Sequence, residues 1–574
     1  MIIYICHGGR LKKINRLTFH RPDVHPIYFR LCVVIMAASI SVLMEELAAA
    51  SDPMDSLQRL KTAVYCLSPS GLSVAAAHSN LQPLFALVGS VDGVQDGGGG
   101  GGGGMEDGEE EERVEMACAV LERLLGGLDP GKLAALHLTT LQFGLAHPRS
   151  SVRLLALKQI GRLMECSKTT DVLREGSSLL PQVIDCIGAE SLGIAKQALQ
   201  NIVCLIKSKE GLEVVFAPRQ LKQLHSVMDT NDAVRYRVYE LVVRIASSSP
   251  IALGHCTRSG LVTQLVGELT SDDVLVRATC AETISGLLKS PHGRQFVLQQ
   301  GVAERISGLL ESALNDPFAD LYVPGLVKFF GKLVVADGAQ MVCERFPIFL
   351  RTVLDTATNH EASSQAVALD TLGVLGKTLE GKLVLHKEGE RFLSVLKVMG
   401  TIAVEAPTEK RIRCLDAMVS LLHLSEEEQN EDVLMMTESW FSTLANEPMI
   451  MLWKISTQPF SDLHCTALRV FTAISDQPWA QRHMANTPGF PEYLTDRSVE
   501  PDKMAKELKF ELVSIITASR TAANIFGSVT YQRLRVYMRE GPYYVQPVTQ
   551  VAIEGSEVEA SWKSSRTNRR HHTT

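Results

Sequence analysis

The stretch of this chain closest to a phosphate-binding loop is Gly373-Val374-Leu375-Gly376-Lys377-Thr378, where a lysine and a hydroxyl follow a glycine. Such a loop needs another glycine five positions before Gly376 so that backbone amides can cradle the phosphates, but Thr371 stands there and no strand precedes it. The 16 histidines are scattered, and His464, beside Cys465 within a helical pattern, reads as a satisfied structural histidine. His571-His572 is too short for a metal tract. The 12 cysteines occur singly, without the CxxC or Cys/His spacing that zinc requires. Cys118, Cys204, Cys280, Cys414 and Cys465 fall in or beside apolar positions, where a free thiol behaves as a small hydrophobe, a pattern suited to a reducing compartment. With no HExxH, GxSxG or kinase-like set, the sequence points to a protein that is not an enzyme and uses no cofactor, metal or small-molecule substrate.

What these residues stand on is a repeated unit. Asn231-Asp232-Ala233-Val234-Arg235 precedes apolar residues at Val238, Val242 and Ile245; Asp272-Asp273-Val274-Leu275-Val276-Arg277 precedes Cys280, Ile284 and Leu287. Both are the one-sided stripe of a helix that buries a single face, with Asn or Asp ahead as N-cap. Between and after them come Gly260 to Leu269 and Gly301 to Leu310, each an amphipathic helix opened by a glycine. The stripe recurs at Val152, Ile194, Tyr322, Ser364, Arg411, Leu463 and Leu508, and more weakly at Arg113, in steps of about 39 to 52 residues. A helix pair cannot bury its own stripe, so such pairs stack. The fold expected is all-α, a HEAT/armadillo-type α-solenoid of roughly ten units.

Composition divides the chain further. Residues 1–35 carry Arg10, Lys12, Lys13, Arg16, Arg21 and Arg30 against Asp23, and read as a non-native or disordered extension ahead of a start at Met36. Residues 36–90 form N-terminal helices, and 91–112, with Gly97 to Gly104 and an acid cluster, read as a disordered insertion. Repeats fill 113–520, a last helix and an aromatic segment fill 521–552, and 553–574 read as a disordered tail. Prolines fall mostly between stripes; Pro324 lies just inside one and is expected in a helix's first turn.

A net charge of -7 lacks the basic stripe that nucleic acid requires. Only the first residues approach the basic amphipathic helix of a membrane binder. A protein partner is therefore expected. Arg153, Arg235 and Arg277 recur at one place in the repeat and read as structural, each bonding an acid or carbonyl nearby. Arg237 and Tyr239 lie off the stripe and are the better candidates for partner binding, together with Gln264 and Glu268 on the helix Gly260 to Leu269. An armadillo transport adaptor would carry Trp-x-x-x-Asn, but Leu444, Thr457, His483 and Arg566 follow the four tryptophans at that distance.

Several runs resemble one family, that of the 26S proteasome non-ATPase regulatory subunit 5: Asn231 to Leu241, Asp273 to Cys280, Thr437-Glu438-Ser439-Trp440-Phe441-Ser442, Asp476-Gln477-Pro478-Trp479-Ala480-Gln481 and Glu540-Gly541-Pro542-Tyr543-Tyr544-Val545. The similarity spans about Met36 to Gly555. The resemblance implies an assembly chaperone for the base of the 19S regulatory particle of the 26S proteasome. Such a protein binds the C-terminal region of an ATPase subunit, meets other base subunits during assembly and leaves before the mature particle forms. It implies a cytoplasmic protein, with the nucleus as a second compartment. The alternative is a general armadillo-type interaction scaffold.

Overall fold

The computed structural model describes residues 3–7, 10–14, 39–50, 52–89, 106–166, 178–359, 364–500 and 502–545. Apart from one small hairpin, these residues form helices, short 3-10 turns and their connections. The hairpin pairs β1 (Ile3–His7) antiparallel with β2 (Arg10–Ile14), Ile3 opposite Ile14 and His7 opposite Arg10. It falls in the segment read as a non-native or disordered extension; Ile3, Tyr4, Ile5, Leu11 and Ile14 are strand formers, a propensity that a charge count does not register. The rest of residues 1–38, the glycine run and the tail lie outside the described residues.

The chain divides into two units, Met1–Asp337 with Arg345–Phe349, and Gly338–Glu344 with Leu350–Thr574. In the first, stripe-bearing helices α1 (Glu106–Gly126), α2 (Ser150–Glu165), α3 (Leu192–Leu205), α4 (Asp232–Ala246), α5 (Val274–Ile284) and α6 (Ala319–Asp337) each pack on the next. In the second, α7 (Gln365–Leu375), α8 (Thr408–Leu422), α9 (Ser461–Ile474) and α10 (Lys503–Ala518) do the same. Shorter helices such as Pro250–Arg258 and Pro291–Gln299 cover them. Each unit is an α-solenoid, because the stripe helices pack on their counterparts in neighbouring repeats as well as on the shorter helices beside them.

Local rules explain the boundaries. Asn231 caps α4 by accepting from Val234 N–H at 3.0 Å, and Asp273 caps α5 by accepting from Leu275 N–H at 2.8 Å. Gly260 and Gly301 open their helices at φ 80° and 68°, a left-handed conformation that a side chain would strain. The acid cluster is helical from Glu106, unlike the disordered stretch expected up to residue 112. Pro324 lies beyond the first turn of α6, so α6 continues through a proline that takes one N–H from its ladder.

A second repeated device appears at the ends of the stripes. Leu205, Leu287 and Leu375 are each followed three residues later by a hydroxyl (Ser208, Ser290, Thr378) and six later by a glycine (Gly211, Gly293, Gly381). The hydroxyl accepts from the glycine N–H at 2.9, 3.2 and 3.2 Å and so starts the next helix. A Cβ on these glycines would stand 2.1, 2.2 and 1.9 Å from the leucine carbonyl oxygen, so only glycine lets the two helices meet. The lysine-threonine pair of Gly373 to Thr378 belongs to this device: Thr378 is a helix cap, and Lys377 is exposed to solvent.

Candidate functional site

The residues expected to meet a partner are mostly occupied within the chain. Tyr239 is fully buried and donates its hydroxyl to Glu268 Oε1 at 3.0 Å. Burial pushes its phenol well above the usual range, with the Glu268 bond adding to the effect. Glu268 also pairs with Arg235 Nε at 3.5 Å. Arg237 reaches back to the carbonyls of Ile187 and Ala189, both at 2.9 Å. Gln264 alone of the four is exposed. The off-stripe argument fails at Tyr239 because a solenoid helix is flanked on two sides: α4 buries Tyr239, Leu241 and Val243 besides its stripe.

The recurrent arginines are engaged within the chain, Arg235 and Arg277 with acids as expected and Arg153 with a thiol instead. Arg235 bonds Asp232 at 2.6 Å, and Arg277 pairs with Asp316 at 3.4 Å while lying over the Tyr322 ring at 4.8 Å. Arg153 Nη2 approaches Cys186 Sγ at 3.7 Å. Similar links join other successive repeats: Arg162 to the carbonyls of Leu125 and Leu128, Arg294 to Asp337, and Arg469 to Asp416. A planar guanidinium can span a repeat boundary while its stem packs on apolar surface.

Two of the runs that carry the family resemblance form one buried network. Gln477 Oε1 accepts from Thr437 Oγ1 and from Trp479 Nε1, both at 2.9 Å, while its amide donates to the Leu422 carbonyl at 2.7 Å. Gln481 donates to the Ser475 carbonyl at 2.9 Å and accepts from Thr521 at 2.7 Å. Every polar atom named here has a partner, which is why amides and a hydroxyl are tolerated inside.

His464 is buried, as the structural reading requires, and bonds the carboxylate of Glu500. Lys509 completes the group: its Nζ stands 3.1 Å from Glu500 Oε1, donates to the Asp496 carbonyl at 2.6 Å, and lies 4.2 Å from the Tyr493 ring centre. Burial raises the cost of the Glu500 charge, but the His464 bond and the Lys509 charge outweigh it and hold the carboxyl below its usual range. Burial lowers the Lys509 ammonium despite Glu500. This group lies on the α10 stripe that spacing placed at Leu508; the buried position is Lys509, and Leu508 is half-buried. In α8, likewise, Val419 is half-buried while Cys414, Met418 and Leu421 are buried.

A further buried cation is Lys382, which donates to the Gly376 carbonyl; burial pushes its ammonium down to about 8. Below that pH the lysine is charged in both folded and unfolded chains, and the burial penalty is present in full. From about 8 to about 10.5 the unfolded chain keeps a proton that the folded chain has released, so this group makes stability rise with pH. We expect wild-type protein to gain on the order of 1 to 2 kcal/mol relative to Lys382→Met between pH 7.5 and 9.5. Denaturant midpoints of both proteins at the two pH values check this, and a constant difference refutes it.

Among the described residues no group of three His, Cys, Asp or Glu side chains is placed to hold a metal ion, and no helix is long and apolar enough to cross a membrane. Open clefts among the described residues include the following two. One of about 410 Å³ is lined by Thr495, Arg497, Val529, Arg533, Val536 and Glu540; the other, of about 550 Å³, by Tyr65, Pro69, Leu72, Glu122, Arg123 and Gly127. Arg497 is already engaged, bonding the Tyr537 and Gly541 carbonyls at 3.2 and 3.1 Å and Glu540 at 3.1 Å. It closes the end of the helix Ala522–Glu540, which breaks at Gly527, and the Tyr544 ring lies 5.4 Å from its guanidinium.

Helical repeats, interlocked by arginines and buried amides, define the class: a HEAT/armadillo-type α-solenoid. Residues 36–557 match the family described as proteasome non-ATPase 26S subunit, and the chain belongs to that family. The 26S proteasome non-ATPase regulatory subunit 5 of Homo sapiens is 45% identical over 522 residues, covering 91% of this chain and 100% of the human protein. The protein of that name in Mus musculus is 46% identical over the same shares, and that of Drosophila melanogaster 26% identical over 77% of this chain and 85% of its own. Among solved structures, Kap121p bound to Nup53p shares 10% identity at a TM-score of 0.47, covering 90% of this chain and 53% of that one.

Proposed function

We propose that this chain is an assembly chaperone for the base of the 26S proteasome regulatory particle. It binds an ATPase subunit through that subunit's C-terminal region, meets other base subunits during assembly and is released before the mature particle forms. The observation that carries this is the 45% identity over the whole length of a protein named 26S proteasome non-ATPase regulatory subunit 5. The physical character of the chain agrees. Stacked repeats offer extended surfaces to a partner domain without chemistry of their own. An interface that must later open is best of moderate strength, which a mixed polar surface supports. We place the activity in the cytoplasm, with the nucleus as a second compartment.

The test is a pull-down with the full chain from cytosol at low and moderate salt, followed by identification of bound proteins. Proteasomal ATPase subunits without the proteolytic core are the expected result. Mature proteasomes, or no proteasomal protein, would overturn the chaperone and leave a general interaction scaffold.

A further inference from the structure

Four large apolar side chains of the first unit are exposed in, or just before, the first turns of two packed helices. Leu275, Leu314, Phe318 and Leu321 are 64%, 65%, 58% and 55% exposed. Leu275 is in the first turn of α5 and Leu321 in the first turn of α6, two helices packed side by side; Leu314 and Phe318 belong to the turn leading into α6. Together they expose on the order of 400 Å² of apolar surface, within the range where a patch on a monomer is often a functional one.

This exposure is built in. The Asp316 carboxylate accepts from Phe318 N–H and from the Tyr322 hydroxyl, both at 2.9 Å, and pairs with Arg277. The turn is therefore pinned from beneath by the links that join the two repeats, which holds Leu314 and Phe318 in solvent. The surroundings are acidic: Asp272, Asp273, Glu311 and Asp320 are exposed. In residues 271–278 and 311–322 the sole cation is Arg277, already engaged with Asp316 and Tyr322.

We propose that this rim is a docking surface for a partner-protein segment that presents apolar side chains flanked by lysine or arginine. The apolar groups supply the buried area, and the acids select the partner's charge and raise its rate of encounter. The inference rests on the reading of the chain as a chaperone of an ATPase subunit, for which it names the contact surface.

Two probes separate the two claims: a purified proteasomal ATPase C-terminal domain, and a synthetic amphipathic helix of leucine and lysine, with a leucine and glutamate version beside it. The full chain is compared with Leu275→Ser/Phe318→Ser, with Asp272→Lys/Asp320→Lys, and with Leu136→Ser/Phe143→Ser as an exposed apolar control. Each rim variant should weaken both the ATPase domain and the leucine-lysine helix at least tenfold, with the control and the melting temperatures unchanged. Rim-dependent binding of the helix without any binding of the ATPase domain upholds the surface and sinks the chaperone reading. Undiminished helix binding by the rim variants, equal loss in the control, or preference for the glutamate helix overturns the surface. Binding that requires removal of residues 1–35 also overturns it, since the chain's own basic segment would then be the occupant.

Discussion

Gly400→Ala should lower the stability of the second unit by about 1 to 3 kcal/mol, the range of an overpacked core. Gly400 lies within the helix Glu390–Glu405, where alanine ordinarily stabilises by about 1 kcal/mol. Here the methyl group would stand 1.7 Å from the Leu444 carbonyl oxygen and 2.7 Å from its carbon. Both atoms are backbone, so no side chain can turn aside to make room. Gly308→Ala makes the contrast: it too lies within a helix, nothing stands within 4 Å of the added carbon, and a small gain is expected. Thermal unfolding of the two variants decides the matter. A Gly400→Ala protein as stable as wild type would show that the helix Glu390–Glu405 does not meet the Leu444 backbone as described.

Glu500→Ala should cost about 3 to 5 kcal/mol, because it leaves a buried lysine without its counter-charge. Lys509 and Glu500 are both almost wholly inaccessible to water, as is His464. The double replacement Glu500→Leu/Lys509→Met should recover most of the loss, since apolar groups of similar size remove both charges together. The group also sets an acid limit. The Glu500 carboxyl is held below its usual range, so its contribution is complete above the unfolded-state pKa and disappears as pH falls through the folded one. Denaturant unfolding at neutral pH, repeated at descending pH, reads both effects. If Glu500→Ala matches wild type, Glu500 and Lys509 do not form a buried ion pair.

The repeat register was legible because a single buried face leaves a spaced pattern: the stripe residues from Val152 to Leu163, and their counterparts in α3 to α6, are buried as spacing requires. In α10 the same method finds Leu512 and Ile516, which are buried, but takes half-buried Leu508 for the start of the stripe and passes over Lys509, whose burial depends on Glu500 in another segment. Tyr239 was misread for a related reason: periodicity reports the main face of a helix, while the repeats on either side decide what the flanks do. The rim residues offered less to read. Leu275 stood inside one of the repeated runs, but an apolar residue beside a cap looks like helix text until its neighbours are known to face solvent. The leucine, hydroxyl and glycine device could have been found, because its spacing is constant across three repeats.

The arginine links have a consequence for how the chain is made. Arg162 reaches residues 34 and 37 positions earlier, Arg237 reaches 48 and 50 earlier, and Arg469 bonds back to Asp416. None of these ties waits for a distant terminus. A repeat leaving the ribosome finds its upstream neighbour already available, so the growing polypeptide can zip up in order of synthesis, each segment locking onto the one before it.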